Sequence, residues 1–425
     1  MGTPEMTAVR GEIRDAVESL LPAAGDLLGE LIQFPSTPGD EKEAMAFFEK
    51  KLSSLEGTVE RVFFPPDFTR DPEYSFPIPG LSYDGRYNLR FVREGRQPGR
   101  TLLINAHMDV VPPSQGMDTP WEGKQKDGTV FGRGACDDKG PLVAVFLALK
   151  ALDRLAPDMP GRVIFHTVNE EENGGNGTLA MIRRGEEADG CVVMEPSSGN
   201  LYTSVRGAVW FKIRFYGTAG HSGQAGQTRS ALMMAHKAIS ALETYHRNLL
   251  DQSRLFPLFN RYSNPMPLTF GRLSAGNWPA AAPNEAVLEG VLGFLPNKTR
   301  DEICGEFEQV LLEKVGLKPT DFELEFTYRH DCSVVDPESD LPSAVMTASE
   351  NAGVPLEVSA FPASCDAWFY PHFLSIPAVV FGPGDLKFAH SRDEQIEMSD
   401  ISGSAQLLVH AILQFCKPVK ATGDR

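Results

Sequence analysis

The stretch "LLINAHMDVV", residues 102–111, decides the fold. Its first half is an apolar run of strand length, the kind that is buried on both faces of a parallel sheet. Its second half delivers His107 and Asp109 two residues apart. Strand alternation puts both side chains on one face. One can therefore bind a ligand while the other stands behind it.

Three more runs have the same texture: "RVIFHTV", "GCVVM" and "PAVVFG". Helical stretches, "GPLVAVFLALKALDRL" and "GTLAMIRRGEE", separate the first three. That alternation predicts parallel strands joined by crossover helices. Residues 8–57 have helical periodicity, and residues 64–90, rich in Pro, Asp and Tyr, read as loop. From Arg206 the pattern changes to half-buried alternation, as in "GAVWFKIRFYG". A helix, "SALMMAHKAISALETYHRNLL", follows, then "PLTFGRLSAG", "NEAVLEGVLGFLP", a helix near 299–315 and "FELEFTY". This β-α-β-β-α-β order predicts a small ferredoxin-like sheet. The α/β texture resumes near 331. The expectation is an α/β fold with a mixed, mostly parallel sheet and flanking helices, interrupted by an α+β insert. Residues 1–205 and 331–425 would form the first domain and 206–330 the second, within the range expected of a 425-residue chain.

Each strand-like run leads into groups that bind metals. His107 and Asp109 follow the first, and Glu170, Glu171 and Glu172 the second. Glu195 follows "GCVVM", and His390 comes a short loop after "PAVVFGPG". Asp137 and Asp138 stand in "FGRGACDDKG", ahead of a helix. Ligands of open α/β sheets bind at the carboxyl ends of strands, so these groups can converge. A lone His-x-Asp is commonly structural, and a glutamate triplet is commonly solvated surface. The ordered set carries the signal. Two histidines with several carboxylates suit Zn²⁺ and similar ions, and this many carboxylates suit two ions sharing one of them.

Composition narrows the classes. The formal charge of −17 argues against nucleic acid and anionic membranes as partners. The longest apolar helical run, "PLVAVFLALKAL", is too short to span a bilayer. The first residues are acidic where a secretory leader is basic, so a cytoplasmic location is expected. Six scattered cysteines form no CxxC pair.

The pieces "AHMDVVP", "GRGACDDKG", "NEEENGG", "MEPSS", "GTAGHSG" and "FGPGDLKFAHSRDE" resemble, in order, the zinc-dependent exopeptidases and deacylases. That family includes acetylornithine deacetylase, succinyl-diaminopimelate desuccinylase, aminoacylase and glutamate carboxypeptidase. The resemblance implies two zinc ions, with cobalt or manganese as substitutes. His107 and Glu195 would hold one ion, Glu172 and His390 the other, and Asp137 would bridge them. Asp109 would orient His107. Glu171 would be the general base that takes a proton from water and passes it to the leaving amine, although Glu170–Glu171 also fits the register. His221, in "GHSG", would donate a hydrogen bond to the oxyanion, reaching the partner's site in a homodimer formed through 206–330. The resemblance also implies a cis peptide bond between Asp137 and Asp138. The expected activity is hydrolysis of a small N-acyl amine or amino acid, with a dipeptidase or carboxypeptidase as the alternative. A single-metal amidase of ureido compounds and a catalytically silent binding module are the further readings; the complete set of ligands and base speaks against the latter. Relatives carry Asn and Arg where Ala280 and Gly293 stand here, which sets this chain apart from enzymes that grip a free carboxylate beside the scissile amide.

Overall fold

The computed structural model describes residues 4–221, 223 and 226–418. Its centre is the parallel block expected from the four apolar runs. The strand Gln97–His107 pairs in parallel with Pro160–Val168 on one side and Gly190–Val193 on the other. Ala378–Val380 then pairs in parallel with Gly190–Val193. Leu102, Leu103, Ile104, Val192 and Val379 are fully buried, because helices cover both faces. Helices Lys139–Leu155, Met398–Phe415 and Pro4–Ile32 pack on one face, and Asn176–Ile182 lies on the other.

Antiparallel strands extend the block at both edges into a nine-stranded mixed sheet. Thr58–Phe63 and Tyr87–Glu94 add to the Pro160–Val168 side. Asn200–Val205 adds beside Ala378–Val380 and pairs antiparallel with Ser333–Val334 and in parallel with Glu357–Phe361. The 64–90 segment expected as loop therefore ends in a strand from Tyr87.

Residues 207–330 form a separate four-stranded antiparallel sheet. Its spatial order is Leu268–Ala275, Glu285–Phe294, Gly207–Tyr216, Phe322–His330. The helices Ala231–Ser253 and Arg300–Gln309 alternate with these strands in the β-α-β-β-α-β order. In the longer helix Ala231, Met234, Ala235, Ala238, Leu242 and Leu249 are buried, a helical spacing that presents one apolar stripe to the sheet. Arg300–Gln309 opens on a capping box: Thr299 Oγ1 accepts from Glu302 N (3.3 Å), and Glu302 Oε2 accepts from Thr299 N (2.8 Å). This sheet has its own apolar core, built on Phe211, Ile213, Phe215, Leu288, Leu292 and Phe307. A two-residue ribbon, Gly220–His221 against Ala281–Ala282, extends from it.

Among the described residues no helix is long and apolar enough to cross a membrane.

Candidate metal centre

The site lies where the parallel strands end. His107 is the last residue of its strand. Glu171 and Glu172 lie in the turn after Pro160–Val168, Glu195 two residues beyond Gly190–Val193, and His390 in the loop after Ala378–Val380. Asp137 lies just before the Lys139–Leu155 helix, and the Asp137–Asp138 peptide bond is cis, as the resemblance implies.

Two groups of ligating atoms emerge among the described residues. His107, Asp137 and Glu195 offer atoms within 4.8 Å of one another, and so do Asp137, Glu172 and His390. Asp137 belongs to both, and its two oxygens face opposite ways. Oδ1 is 3.0 Å from His107 Nε2, and Oδ2 is 3.3 Å from His390 Nε2. His390 Nε2 is also 3.0 Å from Glu172 Oε1.

The surroundings fix these groups. His107 Nδ1 is 2.9 Å from the main-chain oxygen of Asp109 and 3.5 Å from its carboxylate. A hydrogen bond there presents Nε2 to the site. The Asp109 carboxylate mainly holds the glutamate turn: Oδ1 accepts from Glu171 N (3.2 Å) and Oδ2 from Glu172 N (3.1 Å). Asp138 Oδ2 accepts from His107 N (3.0 Å). Glu170 is engaged elsewhere. It is ion-paired with buried Arg86, which also pairs with Glu41 (2.6 Å), and it accepts from Tyr83 Oη and Asn176 Nδ2, each at 2.8 Å. Glu170 has φ +63°, a left-handed turn residue just ahead of Glu171 and Glu172.

The donor set calls for cations. Burial first, then the neighbouring Asp366, pushes the Glu171 carboxyl well above its usual range. Glu195 is raised by burial and then by Glu171, and Glu172 by burial and then by Asp137. Burial alone would lower His390, but Glu172 and Asp137 outweigh it and push the imidazole up to about 11. A cluster with more buried carboxylate than cationic charge fits two divalent ions. Removing bound metal with a chelator is therefore expected to lower the melting temperature by several degrees, because the ligated state loses its counter-charge. A calorimetric scan that is unchanged by chelator would contradict this.

Several contributors were not singled out in the sequence. Glu394, four residues after His390, accepts through Oε1 from the main-chain N of Gly134, Cys136 and Asp137 (3.0, 3.1 and 3.1 Å). It also pairs with buried Arg133. It thereby holds the loop that carries Asp137. Glu394→Gln is expected to weaken metal binding about 10- to 100-fold, read by competition with a chromophoric chelator; unchanged affinity would place the loop's support elsewhere. Asp366 is fully buried, accepts from Thr178 Oγ1 (2.5 Å) and abuts Gly175 at the end of the glutamate turn. A Cβ at Gly175, which has φ +69°, would collide with Asp366 and Phe369. At Gly293 a Cβ would lie 2.9 Å from Arg206 Nη1. The guanidinium of Arg206 fills that space and donates to the carbonyls of Pro362 (2.6 Å) and Gly207 (3.1 Å).

His221 lies in the exposed ribbon, outside both groups of ligating atoms, and its Nδ1 accepts from Gly223 N at 3.0 Å. All six cysteines are free thiols.

This fold and donor set are those of a metal-dependent hydrolase acting on carbon–nitrogen bonds. Residues 103–414 match peptidase family M20/M25/M40, and the chain belongs to that family. It is 27% identical over 350 residues to the N-formyl-4-amino-5-aminomethyl-2-methylpyrimidine deformylase of Halalkalibacterium halodurans, covering 76% of this chain and 81% of that one. Human carnosine dipeptidase shares the fold with a TM-score of 0.74 at 16% identity, covering 96% of this chain and 99% of that one. A Bacillus subtilis protein described as a dinuclear metal binding peptidase of the M20 family superposes with a TM-score of 0.65 at 14% identity, over 93% and 98% of the two chains.

Proposed function

We propose that this hydrolase is a two-zinc deacylase that releases a short acyl group, formyl first among them, from a small amine. The observation that carries the reading is Asp137, whose two oxygens face His107 and His390 in separate ligand groups. His107 and Glu195 would hold one ion and Glu172 and His390 the other, with Asp137 between them. Bound there, two divalent cations supply Lewis-acid polarisation of the amide carbonyl and hydroxide at neutral pH.

The chain's own residues do the rest. Asp109 holds the glutamate turn and orients His107. Glu171 accepts the proton of the attacking water and delivers it to the leaving nitrogen, because a carboxylate beside two cations stays ionised and is not repelled by them. His221 donates to the oxyanion of the tetrahedral intermediate. We assign residues 206–330 as a lid and dimerisation domain between catalytic segments 1–205 and 331–425, with His221 entering the partner's site in a homodimer. The thiols, five of six buried, support a reducing compartment, the cytoplasm.

Two features favour a formamide over a dipeptide. A curated relative is a deformylase, and no side chain at Gly293 or Ala280 can grip a free carboxylate. The test is a panel of N-formyl, N-acetyl and N-succinyl amines and dipeptides offered to the zinc-loaded protein, with amine release followed directly. N-formyl amines are expected to turn over fastest. Faster release from dipeptides would favour the exopeptidase reading.

A further inference from the structure

The ribbon that carries His221 also carries an aromatic side chain that the deacylase reading leaves unused. Trp278 is 68% exposed. The other tryptophans with aromatic neighbours are differently placed: Trp368 is buried against Phe369, and Trp210 stacks on Tyr328 at 5.1 Å. Trp278 makes no aromatic pair among the described residues. Leaving an indole in water forgoes the burial that usually holds large aromatic groups inside a fold.

Its position is set by the backbone. His221 is the register partner of Ala281, and Ala281 N donates to the carbonyl oxygen of Trp278 at 3.2 Å. Trp278 thus closes the turn whose last residue lies opposite His221. The base of the ribbon is tied down by Gly217 N to Asn284 O (2.7 Å) and Ala231 N to Pro283 O (2.9 Å). Imidazole and indole therefore travel together wherever the ribbon goes. From Gly276 to Pro283 the turn reads Gly-Asn-Trp-Pro-Ala-Ala-Ala-Pro, with no charged side chain. A surface mainly of indole, proline rings and methyl groups favours a flat, uncharged ring and offers no cationic group to a carboxylate.

We propose that Trp278 is a specificity-determining residue, its indole forming an aromatic wall over the amine half of the substrate and selecting amines that carry a planar aromatic ring. This rests on the reading that His221 reaches the partner's metal centre. The substrate class is then an N-acylated, above all N-formylated, amine that carries a planar aromatic ring. The amide lies between the metal ligands and His221, and the ring lies against Trp278.

The test compares N-formylbenzylamine with N-formylbutylamine, using zinc-loaded wild type, Trp278→Ala and Trp278→Phe. In Trp278→Ala the ratio of the two kcat/KM values, benzyl over butyl, is expected to fall about tenfold, chiefly through KM for the benzyl substrate. Trp278→Phe should recover most of the ratio. Benzylamine should quench wild-type tryptophan fluorescence, and calorimetry should show it binding Trp278→Ala more weakly. An unchanged ratio in Trp278→Ala, equal benzylamine affinity in both proteins, or a change of assembly mass on sedimentation would overturn the proposal, the last by making Trp278 an interface residue. Failure of wild type to release amine from either formamide would instead count against the deformylase reading. Weaker benzylamine binding to Trp278→Ala would still support the aromatic wall in that case.

Discussion

Glu171→Gln is expected to lose turnover about 10²- to 10⁴-fold while keeping its metals. The substitution preserves shape and one acceptor oxygen but removes the only group assigned to move the proton from water to the leaving nitrogen. Nothing else in the turn needs to shift, because the hydrogen bonds to Asp109 come from the backbone N–H of Glu171 and Glu172. The ligating atoms of Glu172 and His390 are likewise untouched. The neighbouring control separates chemistry from architecture. Glu170 is fully buried and paired with Arg86. Glu170→Gln should therefore cost about 1–3 kcal/mol of stability by weakening the hydrogen bonds that its carboxylate accepts from Arg86, Tyr83 and Asn176, Arg86 keeping its Glu41 partner, while folded molecules keep their activity. Kinetics on an N-formyl amine, elemental analysis and denaturant unfolding of both variants read the difference. A fully active Glu171→Gln beside a folded, inactive Glu170→Gln would exchange the two assignments.

The second large effect belongs to His221. Removing an oxyanion donor costs about 10²- to 10³-fold in turnover, so His221→Ala should be nearly inactive with its metals in place. Within one chain the ring sits on an exposed ribbon and, among the described residues, accepts a hydrogen bond from the backbone N–H of Gly223, which suits a residue that acts on a second copy. Mixing inactive His221→Ala with inactive Glu171→Gln makes this measurable. Half of the randomly re-paired dimers are mixed, and each mixed dimer has one site with both wild-type groups. Recovery of about a quarter of the wild-type rate is expected for a two-fold assembly. Mixed dimers shown to form yet remaining inactive would place the action of His221 within its own chain.

The four apolar runs were legible as parallel strands because both faces of each are buried, which removes polar alternation and leaves unbroken Val, Ile and Leu. The βαββαβ insert was legible for the opposite reason: one face of its sheet is covered by helices and the other is not, so residues alternate. The outer strands on one side of the sheet, Thr58–Phe63 at its edge and Tyr87–Glu94 next to it, were harder. "TVERVF" is one-third charged, and "YNLRFVRE" follows a proline-rich loop; pairing across a long separation, not local pattern, makes them strands. The ligand order along the chain was readable, since each strand end supplies its own group. What holds those groups was not. Glu394 supports the Asp137 loop from some 260 residues away, and Arg206 fills the space over Gly293 from the neighbouring strand entrance. Such contacts leave no periodic trace in the sequence. That Glu170, unlike Glu171, is paired with Arg86 is likewise a tertiary fact with no local signal.

The most direct test of the central claim is metal stoichiometry tied to activity. Chelated protein is titrated with zinc, and metal per chain and release of amine from an N-formyl amine are followed together. Full activity should arrive with about two ions per chain, and Asp137→Asn, by weakening the shared ligand, should lower the occupancy of both sites. A plateau at one ion per chain under saturating zinc, with full activity and an unaffected Asp137→Asn, would contradict the two-metal account.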